Sequence, residues 1–560
     1  MKPRRRIRPF GDMALVAEVA SVDEAHALAE ALTGGGTDRA DTSRSAAHAH
    51  AGIEDVVIGY RSVTVIADPT VCDLDSLVEQ VASVELPPSR TRRTRAIEVG
   101  VLFDGPDLEA VAASTRIPPD EVVRLLVATQ LRVAFLGFLP GFAYLEGLPA
   151  PLAALARRPT PRKAVPAGSF ALAGGFAAIY PRRFPGGWHL VGRSDLTLFD
   201  PDTPPYATLR PGDVVRIRPE PDPHAGPVVH EPGGPGGRHA VAAIPGPTHR
   251  SVTVEDPGVL TTVQDRGRIG VAHLGVPRSG AADPYALRAA NRLVGNADDA
   301  AGLEATVRGP SLRFDHDGFV VVAGGARARV DDGPVPCDAV VPVGAGQVLS
   351  VGEILDDLRC YVAVAGGIET PPVLGSRAAD LAGGVGPGAL AVGDRLPVGA
   401  RGYPRGQLVV DARLRAAPPR TLRVVPGPDD VGSGVVEVLS ATPWQVSPDS
   451  DRVGMRLSGD ARVEPSTSGV PSRGTVTGAV QVPPDGYPVV LLCDHATVGG
   501  YPVVACVISA DLGVLGRCRP GETVRFEAVS LEEARRARAL LERSLAHAVS
   551  GWYPVDSASS

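Results

Sequence analysis

Lysine is nearly missing from this 560-residue chain, occurring only at Lys2 and Lys163. A phosphate-binding loop of the G-x-x-x-x-G-K-[ST] kind is therefore excluded, because neither lysine stands in such a context. No Met-Lys pair follows the initiator, which excludes a biotin-attachment sequence of the usual kind. There is no G-x-S-x-G nucleophile elbow and no H-E-x-x-H zinc helix. The six cysteines include no C-x-x-C pair, and most sit inside apolar runs, so buried free thiols are expected and a metal site is not. No stretch approaches 18 uninterrupted apolar residues, and the basic N-terminus MKPRRRIRPFGD leads into no apolar core. Neither a transmembrane helix nor a signal peptide is expected, and the cytoplasm is the expected location. A formal net charge of -7 gives no basic footprint for nucleic acid.

What the chain has in excess is 65 glycines and 54 prolines, set between short Val/Ile/Leu runs. That pattern reads as many short strands joined by tight turns, a β-rich α+β class. The length suggests roughly two to four domains. Arginine carries nearly all the positive charge. A GC-rich coding bias explains that more economically than selection for planar donors.

Residues 7–95 read as a small α+β module. Ser21 and Glu24 form a capping-box pattern before an Ala/Leu-rich helix that stops at Gly34, and IEDVVIG and RSVTVIAD read as strands. Residues 35–50, with His48 and His50, read as a loop. Residues 96–218 open with a strand and two helices, then turn to strands. Residues 219–250 are dense in Pro and Gly and read as a linker. Residues 251–528 are β-rich, with one helix announced by Asp283, Pro284 and a stop at Gly295. Ser530 and Glu533 open a C-terminal helix over 529–550. Two long halves joined by a linker suggest a fusion of proteins that work together.

Several motifs gather Gly, Pro and polar residues where a ligand could be met. In the first half these are GFLPGFAYLEGL (137–148), PRKAVPAGSFALAGG (161–175) and IYPRRFPGGWHLVGRSDLTLFDP (179–201). Arg162, Lys163 and Arg193 can clamp a carboxylate or phosphate, with Ser169 beside them. The same segments also read as ordinary tight turns around a packed Trp. In the second half, TTVQDRGRIG and SGAADPYALRAANRLVGN supply Asp265, Arg266, Ser279, Gly280 and Asp283. GGIETPPVLGSRAADL supplies Arg377, and GAVQVPPDGYPVVLLCDHATVGGYP supplies Gln481, Asp494, Gly499 and Gly500. Asp494 ends an apolar strand, where burial would raise its pKa and a nearby Arg would lower it. We expect Asp265, Arg266, Ser279, Asp283, Arg377, Gln481 and Asp494 to converge on one pocket. The plain alternative is turn hydrogen bonds and surface ion pairs.

On these motifs, residues 7–218 resemble the family known as allophanate hydrolase subunit 1, Kip-type kinase inhibitor or the B subunit of 5-oxoprolinase. Residues 251–528 resemble its partner family, allophanate hydrolase subunit 2, Kip-type antagonist or the C subunit of 5-oxoprolinase. The resemblance implies cyclophilin-like β-barrel domains in both halves and a relation to the carboxyltransferase region of urea carboxylase. It implies a fused component of an ATP-dependent 5-oxoprolinase that works with a separate A subunit to open 5-oxo-L-proline to L-glutamate. ATP, with Mg, would be the cosubstrate, and no biotin is attached.

The residues expected at that site are Asp494, Arg377, Asp265 and Asp283 for catalysis. Lys163, Arg162, Ser169, Arg193, Arg266, Ser279, Gly280, Gln481, Gly499 and Gly500 are expected for substrate or ATP binding. Partners would be a protein like the A subunit of 5-oxoprolinase, a small-molecule substrate and, as an open option, further copies of the chain, with neither nucleic acid nor membrane. Alternatives are a regulator of a sensor histidine kinase, or a carboxyltransferase-like enzyme on another amide or urea-like substrate. The chain departs from the family pattern at Leu126 and Leu131, where His and Tyr are usual, and at Ala496 and Arg517, where Gln is usual.

Overall fold

A computed structural model describes residues 5–34, 52–86, 95–220, 250–400, 420–432, 434–465 and 470–547. The loop expected at 35–50, nearly all of the linker expected at 219–250 and the last three residues of the helix expected at 529–550 lie outside the described residues. The fold is β-rich α+β.

The N-terminal module is a four-stranded antiparallel sheet in the order Ile7–Pro9, Ala14–Glu18, Ser62–Ala67, Ile53–Gly59. Helix Val22–Thr33 covers one face. Ser21 Oγ accepts from Glu24 N at 3.1 Å, the Glu24 carboxylate reaches back to Ala20 N at 2.8 Å, and Gly34 ends the helix in the left-handed region. Strand Ile53–Gly59 is buried at every position and does not alternate. Its second face is covered by the other half of the chain: Tyr60 N donates to Ser472 O at 2.6 Å and Thr64 Oγ1 to Gly474 O at 3.2 Å. A strand covered on both faces has no polar side to show.

The rest of the first half is a seven-stranded sheet flanked by helices Leu108–Thr115 and Pro119–Ala128. Leu126 and Leu131 are fully buried in its core beside Val133, Leu145 and Val215. The positions where the family pattern has His and Tyr are therefore core positions in this chain. The aromatics of 137–148 form an edge-to-face cluster, with Phe142 packed on Tyr144, Tyr180 and Trp188 at 5.1–5.7 Å. Gly137 has no room for a side chain, because a Cβ there would stand 2.4 Å from the Val498 side chain. Gly141 N donates to Leu274 O at 2.9 Å. This glycine-rich turn is thus part of the seam between the halves.

The second half contains a five-stranded and a six-stranded sheet facing each other across Val263, Leu303, Leu312, Phe314, Leu349 and Val362. A closed seven-stranded barrel, Arg420–Pro426 through Thr523–Ala528, follows and encloses Leu422, Trp444, Met455, Val480 and Phe526. Helix Pro284–Leu293 starts where Asp283 Oδ1 accepts from the amides of Tyr285 and Ala286, both at 3.1 Å. Ser530 and Glu533 cap helix Leu531–His547 reciprocally. All six cysteines are free, four of them buried. Among the described residues no helix is long and apolar enough to cross a membrane.

Candidate active site

Arg452, on the turn before strand Gly454–Ser458, is the hub of a buried charge network. Its Nε donates to Asp494 Oδ2 at 2.8 Å and its Nη2 to Asp494 Oδ1 at 3.1 Å. Nη2 also donates to the Gly280 carbonyl at 2.6 Å, and Nη1 to Glu304 Oε1. Glu304 accepts in addition from Ala282 N at 2.7 Å and Tyr361 Oη at 3.0 Å. Burial pushes the Glu304 carboxyl upward, but the charges of Arg452 and Arg359 outweigh it and hold the group below its ordinary range. Ser279 sits in the left-handed region, so its amide reaches Cys493 O at 2.9 Å. Its buried hydroxyl has no partner among the described residues.

Asp265 organises the adjoining loop. Oδ1 accepts from Gly267 N at 2.8 Å and Ser376 Oγ at 2.6 Å, and Oδ2 accepts from the Arg377 amide at 2.6 Å. Arg377 therefore joins Asp265 through its backbone, while its buried Nε has no partner among the described residues.

Three residues further on, Asp380 is 1 % exposed. One of its oxygens accepts from Gly383 N at 2.7 Å, and the other has no partner among the described residues. Burial raises its pKa first and the charge of Asp494 raises it further, against the pull of Arg268 and Arg182. Arg268 is equally buried. Nε and Nη2 are spent on the carbonyls of Val373, Ala378 and Val385, and Nη1 has no partner among the described residues.

A glycine turn makes room for these charges. A Cβ on Gly383 would lie 1.9 Å from Asp380 Oδ2, and one on Gly386 would lie 2.4 Å from Arg268 Nη2. A Cβ on Gly384 would lie 1.8 Å from Arg182 Nη1. Arg182 belongs to the first half of the chain, so the cluster is completed across the seam. A buried acid with an orphaned oxygen, in the field of two guanidinium groups, can hold or move a proton, and those groups can stabilise developing negative charge.

The residues expected from sequence divide into three groups. In the first group, Gly280 and Asp494 meet at Arg452, Ser279 adjoins them, Asp283 N reaches Glu304 through Tyr361 Oη, and Asp265 with Arg377 forms the adjoining loop. Within this group Asp283 is occupied as a helix cap and as the partner of Arg517 Nε at 3.2 Å, which explains the Arg at that position. A second group lies on the seam or the barrel wall. Arg266 Nη2 pairs with Glu54 at 2.7 Å and Asp68 at 2.9 Å, facing the N-terminal module. Gln481 backs Gly499, where a Cβ would lie 2.8 Å from its Nε2, and Gly500 lies near Ser472 and Arg157. The third group belongs to the first half. Arg162 joins Arg158 on Asp107 at 2.7 and 2.9 Å, Arg193 pairs with Asp104 at 2.8 Å, Ser169 is buried, and Lys163 is exposed.

Sequence reasoning missed Glu304, Arg452, Arg268, Asp380 and Arg182. A lone Glu inside the apolar strand Gly302–Thr306 was the one legible signal, because buried acids are rare unless paired.

The carboxyltransferase domain, subdomain C and D, matches residues 5–209, and the carboxyltransferase domain, subdomain A and B, matches residues 274–528. The chain is 39% identical over 287 residues to the C subunit of 5-oxoprolinase from Escherichia coli (strain K12), covering 50% of this chain and 92% of that protein. This chain belongs to the carboxyltransferase-domain family. It is also 38% identical over 172 residues to the B subunit of 5-oxoprolinase from Escherichia coli O157:H7, covering 30% of this chain and 78% of that one. Homologues of the B and C subunits are thus fused in one polypeptide. The crystal structure of TTHA0988 matches with a TM-score of 0.78 at 33% identity, over 93% of this chain and 100% of that chain.

Proposed function

We propose that this member of the carboxyltransferase-domain family is the fused B–C component of an ATP-dependent 5-oxoprolinase, working with a separate A subunit in the cytoplasm. The carrying observation is the union of B-like and C-like halves, with a charge cluster completed across their seam by Arg182. The lactam of 5-oxo-L-proline is stabilised by amide resonance. ATP, carried with Mg, would supply a phosphoryl group that makes the carbonyl carbon electrophilic. Water then adds to that carbon, the ring C–N bond breaks as the nitrogen takes a proton to give γ-glutamyl phosphate, and a second water hydrolyses this acyl phosphate to L-glutamate and inorganic phosphate. Arg268 Nη1 and the Arg182 guanidinium are the donors for charge on oxygen, and Asp380 is the group that holds or moves the proton. Asp494, clasped by Arg452, serves to raise the proton affinity of Asp380.

The test combines the purified chain with the separate A subunit, ATP, Mg and 5-oxoproline and measures glutamate and ADP. Glutamate formed only when all components are present supports the reading. Turnover of another amide or urea-like substrate in place of 5-oxoproline overturns it, as does stable binding to a sensor kinase with no turnover.

A further inference from the structure

A separate small cavity lies between the N-terminal module and the closed barrel. The module contributes Asp12 and Asp55, and the barrel contributes Thr475, His495 and Thr497. Phe10, Val57, Ile66 and Val476 give it apolar walls. None of these residues belongs to the charge cluster around Arg452.

The polar groups of this cavity are mostly acceptors. Asp55 accepts from Ala272 N at 3.0 Å through Oδ1, and a carboxylate has capacity for more. Asp12, also buried, accepts from Ser509 N at 2.9 Å and Ser509 Oγ at 2.5 Å. His495 is buried, and burial lowers its pKa, so it is neutral near pH 7. Its Nδ1 lies 2.8 Å from the Ala496 carbonyl, which makes Nδ1 the protonated nitrogen and leaves Nε2 an acceptor. Thr475 Oγ1 donates to the same carbonyl at 2.5 Å and lies 3.1 Å from His495 Nδ1, where it can only accept. Thr497 is 3 % exposed, and its hydroxyl has no partner among the described residues. The cation on the wall, Arg278, is paired with Glu54 at 2.5 Å.

Carboxylates, an imine nitrogen and hydroxyl oxygens on the lining of one cavity with apolar walls call for a ligand with several N–H donors and a short apolar body. Anions such as phosphates and free carboxylates are disfavoured by Asp12 and Asp55. We infer that this cavity binds a small primary alkylammonium ion, its ammonium group at Asp55, Thr497 and His495 and its alkyl group against Phe10 and Ile66.

The inference is tested by titrating the full chain with ethylammonium chloride in a calorimeter, with no ATP and no other protein present, so it stands or falls apart from the 5-oxoprolinase reading. Saturable binding with one site per chain is expected, with potassium propionate giving none. Asp55→Asn and Thr497→Val should each weaken ethylammonium by about tenfold or more, as removal of a hydrogen bond to a charged group does. If Asp55→Asn does not fold, Thr497→Val carries the comparison. The inference is overturned by absence of saturable ethylammonium binding, by propionate binding as well as ethylammonium, or by unchanged affinity in a folded Thr497→Val protein.

Discussion

Arg452 and Asp494 are joined by two parallel hydrogen bonds, Nε to Oδ2 at 2.8 Å and Nη2 to Oδ1 at 3.1 Å, with both side chains buried. The same guanidinium also serves Glu304. Replacing it with an apolar group of similar length leaves Asp494 without its cation and Glu304 with Arg359 alone. Arg452→Met should therefore cost about 3–5 kcal/mol in a urea melt. A loss under about 1 kcal/mol would show that Arg359 and the surrounding amides already compensate both acids.

Asp380 is the second point of test. Its pKa is raised by burial and then by Asp494, so it remains a proton carrier closer to neutral pH than an ordinary Asp. In the complete 5-oxoprolinase assay, Asp380→Asn should lower kcat by about 10²-fold or more and remove one limb of the pH–rate profile. An equal loss of kcat with the profile unchanged would assign Asp380 a role in positioning only.

Asp55 gives a pH signature in stability. Burial first, and Glu54 last, push its carboxyl up from 3.8 to about 6, against the amides of Ala272 and Gly270 and the charge of Arg278. The folded state holds this proton more tightly than the unfolded chain does. Its stabilising contribution is therefore complete below about pH 4 and is lost as pH rises to about 6. The stability of wild type relative to Asp55→Asn should fall by about 2–3 kcal/mol across that window. Denaturant melts of both proteins at several pH values measure it. A flat difference would place Asp55 in an ordinary ionised state.

The seam should hold without a covalent tether. Asp12 meets Ser509, Glu54 meets Arg278, and Tyr60 meets Ser472 across it. After cleavage at a protease site engineered within 221–249, the two halves should co-elute on size exclusion, and Glu54→Ala should weaken that association. Separation of the wild-type halves after cleavage would make the linker their main connection.

Lys163 is exposed on strand Arg162–Val165. Lys163→Ala should change stability by no more than about 0.5 kcal/mol. If Lys163 meets ATP, the variant should also raise the KM for ATP in the complete assay, whereas an unchanged KM would make it a solvated side chain.

Local signals needed only neighbouring residues, and those were readable. Ser21 and Glu24, Asp283 with Pro284, and Ser530 with Glu533 open the helices they announce, because a cap is settled within four residues. The β-rich class followed from the turn residues between apolar runs, and the long motifs carried the family resemblance. Strand Ile53–Gly59 was recognisable as a strand, but its burial on both faces was not, since the covering residues lie more than two hundred positions away.

The candidate site divides along the same line. Asp265, Ser279, Asp283 and Asp494 were singled out because polar groups in glycine-rich turns have no obvious core role. Their individual roles depend on partners that local sequence does not specify. Asp494 is clasped by Arg452, Asp283 is spent on a helix cap and Arg517, and Arg266 faces Glu54. Local pattern by itself determined the element types, the caps and the motif-rich segments, because these depend on interactions a few residues apart. Only the tertiary structure decided which charges are paired, which buried polar atoms are left open and that Arg182 crosses the seam, because those depend on desolvation and on contacts between residues far apart in the chain.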